Sequence, residues 1–173
     1  ITELSNALWP IIFLSLFKYR SSPYNIEMLS IIIPASNAED TIGKLLDSIK
    51  AQDYFEDYEI IIIDNGSTDR TEEIVKKYVK DLPIRYYKYK EKLGHAGAIN
   101  EGIKKAKGEY ILILHDDLIL GEKNWISTML ETVKKDKDIG VASSLFVTPV
   151  KKLSNIVDKI FSYIYILGWH EKV

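Results

Sequence analysis

The chain predicts an α/β domain, with a Rossmann-like, mostly parallel sheet carrying helices on both faces. Three observations carry that prediction. Short apolar runs rich in β-formers recur at Leu29 to Ile33, Tyr58 to Ile63 and Tyr110 to Leu114, the pattern of strands covered on both faces. Segments with helical spacing separate these runs, and strands alternating with helices build parallel sheets. Each run ends in a polar turn, and right-handed crossovers gather such turns at the carboxyl ends of the strands.

Residues 7 to 17, ALWPIIFLSLF, are apolar but interrupted by Pro10 and followed by Lys18 and Arg20. A bilayer span needs ~20 apolar residues, so this run is too short to cross alone. A helix packed on the domain is the first reading, an interfacial anchor the second, and the cut end of a longer membrane segment the third. A signal peptide would place its positive charges ahead of the apolar run. Ser21, Ser22 and Pro23 read as a linker, so 1–27 is expected to be an apolar N-terminal helix and linker.

The domain itself is expected over 28–150. Its first strand, Leu29 to Ile33, is closed by Pro34, and Asp40 or Thr41 can cap a helix to about Gln52 with Ile42, Leu45, Leu46 and Ile49 on one face. The second strand ends at Asp64 in the turn Asn65-Gly66-Ser67-Thr68, and Thr71 to Lys80 gives a second helix with Ile74, Val75, Tyr78 and Val79 inward. Pro83 precedes a third strand, Ile84 to Tyr89, whose weaker alternation marks a sheet edge. Gly94 to Lys107 is a helix of small residues, Ala96, Gly97, Ala98 and Gly102, which can lie close to a neighbouring backbone or a ligand. Gly108 stops it, and the fourth strand follows. Trp125 to Lys134 reads as a helix, Ile139 to Val147 as a further strand, and 151–173 as an amphipathic or interfacial C-terminal helix.

The composition narrows the chemistry. The 173 residues are 46% hydrophobic and 28% charged, enough for one domain with a sizeable core. A net charge of -2 gives no pull toward nucleic acid or anionic lipid. With no cysteine, thiolate metal sites are excluded and oxygen ligands remain, which points to Mg2+ or Mn2+. The lack of cysteine also fits a reducing compartment. Ile1 is not an initiator residue, so the chain reads as a fragment.

The fourth strand runs into His115, Asp116 and Asp117. Two adjacent acids at the end of a buried strand repel each other and lose hydration, and a divalent cation offsets that cost. Capping of the next helix is the blander alternative for such a pair. Four polar loops, Pro34 to Asn37, Asp64 to Asp69, Lys90 to His95 and His115 to Asp117, are expected to line one crevice, where a nucleotide is the usual ligand. Neither GxxxxGK[ST] nor GxGxxG is present, which argues against a P-loop NTPase and a dinucleotide-binding domain. The loop PASNAED has no glycine, which argues against a sugar-nucleotide pyrophosphorylase.

Taken together, SIIIPASN, EIIIIDNGSTDRT and GHAGAINEGIKKAKGEYILILHDD resemble the nucleotide-binding half of the GT-A fold glycosyltransferases, specifically the inverting family 2, from about Leu29 to about Val147. The resemblance implies that Pro34, Ala35, Ser36 and Asn37 form a wall against the nucleoside. Asp64 and Asn65 occupy paired-acid positions of which the second binds the base. Asn65 stands where the family has Asp, and an amide can both accept from a ring N–H and donate to a carbonyl. Asp69 closes the turn and reads as structural. Gly94, Asn100 and Gly102 match positions that bring the helix close to the donor, beside His95. Lys92 could meet a phosphate, a solvated lysine being the blander reading.

HDD resembles the family's DXD-type motif with His115 in place of its first acid. The resemblance implies Asp117 as the direct metal ligand and Asp116 as a contact to the ribose or to the water shell of the metal. His115 is expected as a hydrogen-bonded lining residue rather than a third ligand, because Mg2+ and Mn2+ prefer oxygen. The implied activity is metal-dependent, inverting transfer from a nucleoside-diphosphate sugar, with a carboxylate base deprotonating the acceptor hydroxyl. No acid in the tail matches that base, so the acceptor half is expected to be missing or supplied by another subunit. The alternatives are a non-catalytic nucleotide-sugar-binding module and a membrane-associated scaffold.

The acceptor, whether glycan, lipid-linked or protein, and the oligomeric state are left open. The expected location is the cytoplasm. The aromatic residues Trp9, Phe13 and Phe17 at one end and Phe161, Tyr163, Tyr165 and Trp169 at the other favour peripheral contact at the inner face of a membrane, balanced against the two helices covering each other or the sheet.

Overall fold

The computed structural model of the chain describes residues 15–18, 28–54, 56–135 and 141–143. Among these, the element order is β1 (Ser15–Lys18), β2 (Leu29–Ala35), α1 (Ile42–Lys50), β3 (Tyr58–Asn65), α2 (Thr71–Tyr78), β4 (Ile84–Tyr89), α3 (Gly94–Lys105), β5 (Tyr110–Ile113), α4 (Trp125–Lys135) and β6 (Val141–Ser143). The strands form one sheet in the order β4-β3-β2-β5-β1-β6. Strands β4, β3, β2 and β5 run parallel, and β1 is antiparallel to both of its neighbours. The mostly parallel sheet and the edge position of β4 agree with the apolar patterning.

Alternation along each strand sorts the core into two layers. Leu29, Ile31, Ile33, Ile60, Ile62 and Leu112 pack with Leu45 and Leu46 of α1, Val75 of α2 and Leu130 of α4. On the opposite face Ile61 and Ile63 meet Ala98 of α3. Each fully buried Ile contributes roughly 1.5–3 kcal/mol through removal of apolar surface from water. The small residues of α3 serve this packing. A Cβ at Gly102 would collide with the Ile32 side chain, so the glycine is what lets the helix rest on β2.

The expected N-terminal helix is corrected at Ser15–Lys18. This segment is a strand, paired from Ser15 with Ile113 to Lys18 with Tyr110, and it joins β5 to β6. A continuous apolar run fits a buried helix and a buried strand equally well. Here the free edge of β5 supplies the backbone partners that decide between them. Residues 15–18 therefore belong to the sheet of the domain rather than to a segment before it. The remainder of 1–27, and the expected helix over 151–173, lie outside the described residues. No described helix is long and apolar enough to cross a membrane.

A buried polar network ties the sheet to the chain leaving α3. Glu59 is 4% exposed and accepts from Ser30 Oγ at 2.9 Å, from the Lys107 backbone N–H at 2.8 Å and from Arg85 at 2.6 Å. Ser30 Oγ in turn accepts the Gly108 N–H at 2.9 Å. Arg85 also donates to the Lys105 carbonyl at 3.0 Å. A charge this deep in a sheet is tolerated because each oxygen is paired.

Candidate active site at the carboxyl ends of the strands

Strand register brings the polar loops to one level. Ala35 pairs with Asp64, Asp64 with Lys88, and Ile32 with Ile113, so β2, β3, β4 and β5 all release their chains at the same rim. A cleft of ≈ 200 Å³ opens there, lined by Pro34, Ala35, Ser36, Asn65, His95, His115 and Asp116. Residues from four separate loops thus share one concavity.

The loops after β2 and β3 are laced together. Asn37 adopts a left-handed φ of 51°, which Asn tolerates better than most residues, and its backbone N–H donates to Ser67 Oγ at 2.9 Å. Its side-chain oxygen accepts the Thr68 N–H at 2.9 Å. The Ala38 N–H donates to Thr71 Oγ1 at 2.8 Å, and Asp69 accepts from the Glu39 N–H at 2.9 Å and from the Thr71 hydroxyl at 2.6 Å. Desolvation works to raise the Asp69 pKa, but these donors prevail and hold it below the usual carboxylate range. Asn37 and Asp69 are therefore clips that shape the rim.

Asp64 lies beneath the cleft, 0% exposed. One carboxylate oxygen accepts the Ser67 N–H at 2.7 Å, and the other accepts the Tyr86 hydroxyl. Burial, followed by that bond to Asp64, pushes the Tyr86 phenol well above its ordinary range. Asn65, next along the strand, does reach the cleft, and its Oδ1 accepts the Leu93 N–H at 2.6 Å. That bond fixes the loop that leads into α3.

At the other wall, Asp116 Oδ2 accepts the Ser36 N–H at 3.1 Å, linking the chain beyond β5 to the end of β2. The His115 ring stacks on His95, with centroids 5.4 Å apart and planes at 29°. Its Nδ1 lies 2.7 Å from Asp117 Oδ1 and 3.2 Å from Asp116 Oδ1. Hydrogen bonding to Asp116, and then the charges of Asp117 and Asp116, raise the His115 pKa against the desolvation that would lower it. Burial, then the neighbouring His115 charge, lowers that of His95.

The site residues expected from sequence thus fall into three groups. Pro34, Ala35, Ser36, Asn65, His95 and Asp116 line the cleft. Asn37 and Asp64 hold its loops. Lys92, Gly94 and Asp117 sit beside it. Lys92 is exposed near the Gly66 turn, Gly94 turns the chain into α3 at a φ of +71°, and the Asp117 side chain is 60% exposed at the mouth. Tyr86, Ser67 and Thr71 were not singled out by sequence reasoning, and the polar GSTDRT turn was the available signal for the latter two.

One ligand atom each from His115, Asp116 and Asp117 lies within 4.8 Å of the others, a nitrogen and two carboxylate oxygens of the kind that hold a divalent cation. This donor set fits a divalent cation.

Comparison with known proteins agrees with this architecture. Residues 30–170 match the family model "Glycosyl transferase family 2". Poly-β-1,6-N-acetyl-D-glucosamine synthase of Staphylococcus epidermidis is 31% identical over 152 residues, 86% of this chain and 36% of the relative. Glycosyltransferase GlyG of Streptococcus pneumoniae is 36% identical over 119 residues, 68% and 39% of the two chains. The chain thus spans little more than a third of the length of these relatives. Among solved structures, S. aureus TarS 1-349 in complex with UDP-GlcNAc is similar with a TM-score of 0.59 and 28% identity, over 62% of this chain and 31% of that one. Mannosyltransferase PcManGT of Pyrobaculum calidifontis, in complex with GDP-Man and Mn2+, gives 0.59 and 27% over 65% and 33%. The fold is of the GT-A type, and the chain belongs to glycosyl transferase family 2.

Proposed function

We propose that the chain is the nucleotide-sugar-binding portion of a metal-dependent, inverting glycosyltransferase. The observation that carries this reading is the pairing of Asn65 with Asp116 across one cleft, a neutral amide on one wall and a carboxylate beside His115 and Asp117 on the other. A nucleoside diphosphate has that same polarity, a neutral base at one end and a charged diphosphate at the other. The cleft, at ≈ 200 Å³, is smaller than the roughly 300–1,000 Å³ of complete small-molecule sites, so it takes part of a nucleotide sugar rather than donor and acceptor together. The nucleotide complexes of TarS and PcManGT support a nucleotide-sugar partner.

In this reading Pro34 to Ser36 back the nucleoside, Asn65 orients the base, and Asp116 and Asp117 hold the cation. Lys92 and the start of α3 at Gly94 and His95 stand where a diphosphate would pass. A divalent cation bound there supplies charge stabilisation to the departing nucleoside diphosphate. Among the described residues no carboxylate other than Asp116 lines the cleft, so we assign the base that deprotonates the acceptor hydroxyl outside them. Transfer follows by displacement at the anomeric carbon, with the acceptor oxygen bonding as the diphosphate leaves.

A thermal-shift panel of UDP, GDP, dTDP and CDP with and without Mn2+ tests the reading. A ligand present at 100 times its Kd adds about 2.7 kcal/mol to the native state. The expected result is stabilisation by at least one nucleotide only when Mn2+ is present. No shift with any nucleotide would overturn the reading. Stabilisation that is the same with a chelator would remove its metal.

A further inference from the structure

Asp64 is buried completely beneath the cleft, a carboxylate with no surface to offer a ligand. A charge removed from water needs donors on both of its oxygens. The turn after β3 supplies one of them, the Ser67 N–H at 2.7 Å. The other comes from the neighbouring strand, where the Tyr86 hydroxyl donates to Oδ2. Among the described residues Tyr86 is the only hydrogen-bond donor to that oxygen, since Lys88 Nζ stands 4.0 Å away and is bonded to Glu72 at 2.9 Å. Tyr86 lies opposite Ile62 in the β3–β4 register, so its side chain reaches diagonally along β4 to meet Asp64. Its ring packs against the main core and is fixed by that packing.

From Asp64 the bonds run on toward the cleft. Ser67, held through its N–H, accepts the Asn37 N–H on its hydroxyl at 2.9 Å, and Asn37 Oδ1 accepts the Thr68 N–H at 2.9 Å. Asn65 stands between Asp64 and this turn and lines the cleft, whereas Tyr86 does not.

We propose that Tyr86 is a positioning residue for the nucleotide: through Asp64 it holds the turn over 65–68 in the shape that presents Asn65 to the base. The proposal rests on the nucleotide-sugar reading above and adds to it a residue outside the cleft. Tyr86→Phe keeps the ring in its packing and leaves Oδ2 of a buried carboxylate without its donor. The turn feels that loss first, because a single N–H joins it to Asp64 while β3 is locked between β2 and β4. Hydrogen bonds to a base depend steeply on angle and distance, whereas attraction between a diphosphate and a cation falls off slowly. A loosened turn therefore weakens the preferred nucleotide more than the others.

The test compares wild type and Tyr86→Phe as full chains, first by amide hydrogen exchange without ligand and then by calorimetric titration of UDP, GDP, dTDP and CDP with Mn2+. Amide protection at Asn37 and Ser67 should fall in the variant by at least about tenfold more than at Ile32 in the sheet. The tightest of the four nucleotides should lose at least about threefold in affinity, near the worth of one net hydrogen bond, and its margin over the weakest should narrow. Protection unchanged at the turn, or lowered equally at Ile32, overturns the proposal. A loosened turn with the margin between nucleotides unaltered overturns it too, and each of these results leaves the nucleotide-sugar reading standing. No nucleotide bound by the wild type overturns both.

Discussion

Asn65 Oδ1 accepts the backbone N–H of Leu93 at 2.6 Å, and because an N–H can only donate, this contact sets which way the amide points. The oxygen is turned to Leu93 and the NH2 group is turned away from it. Asn65 lines the cleft, and in the reading proposed above its NH2 group is the donor that meets the base. Asn65→Asp keeps the acceptor for Leu93 and removes that donor. The expected outcome is a change in the ranking of UDP, GDP, dTDP and CDP of at least about threefold, close to the worth of one net hydrogen bond. Titration calorimetry with Mn2+ present measures it, and an unaltered ranking would separate Asn65 from base recognition.

Glu59 is the polar group on which the underside of the sheet depends. Glu59→Ala removes the acceptor of the Ser30 hydroxyl and the Lys107 N–H and the charged partner of Arg85, which keeps its bond to the Lys105 carbonyl. Removing one partner of a buried ion pair costs more than the pair contributes, here roughly 2–4 kcal/mol after allowance for the partial exposure of Arg85. Urea unfolding should show that loss as a lower midpoint with an unchanged slope. A change below about 0.5 kcal/mol, the range of ordinary surface substitutions, would show that the network is not needed.

Acid should weaken the chain through Glu72. Hydrogen bonds from Lys76 and Lys88, and then their charges, lower the Glu72 pKa from 4.5 to about 2. A lowered folded value means that the stabilisation is complete above the unfolded value and is lost as pH falls from 4.5 toward 2. Glu72→Gln should therefore differ from the wild type at pH 7 and converge with it as the pH approaches 2. The side chain is about one-third exposed, 32%, so added salt should shrink the difference. Unfolding curves that stay equally far apart down to the lowest pH would contradict the assignment.

Much of this architecture was legible because the buried strands announce themselves. EIIIID admits few readings other than a covered strand running into a polar turn, and the weaker alternation of IRYYKY marked the edge that β4 occupies. The convergence of the polar loops followed from the parallel order alone. What the sequence concealed were choices made by tertiary partners. The apolar run ending at Phe17 carries no period that separates helix from strand, and pairing with β5 decides for β1. Asp64 looks like a site acid because the turn is short and polar, yet the Ser67 N–H and the Tyr86 hydroxyl of β4 claim its oxygens. The pairing of Glu59 with Arg85 joins two strands far apart in the chain, and no local pattern points to it. His115 was visible as an oddity, but its distance to each carboxylate was not.

The most direct test of the site is calorimetric titration of UDP and GDP into the wild type and Asp117→Ala, each with Mn2+. The Asp117 side chain is 60% exposed at the mouth of the cleft, so its removal should leave the unfolding midpoint within the range of surface substitutions, about 0.5 kcal/mol. The predicted result is nucleotide binding by the wild type that requires Mn2+, and affinity at least about tenfold weaker in the variant, equal to about 1.4 kcal/mol. Equal affinity in the two proteins, with Mn2+ still required, would contradict the place given to the cation.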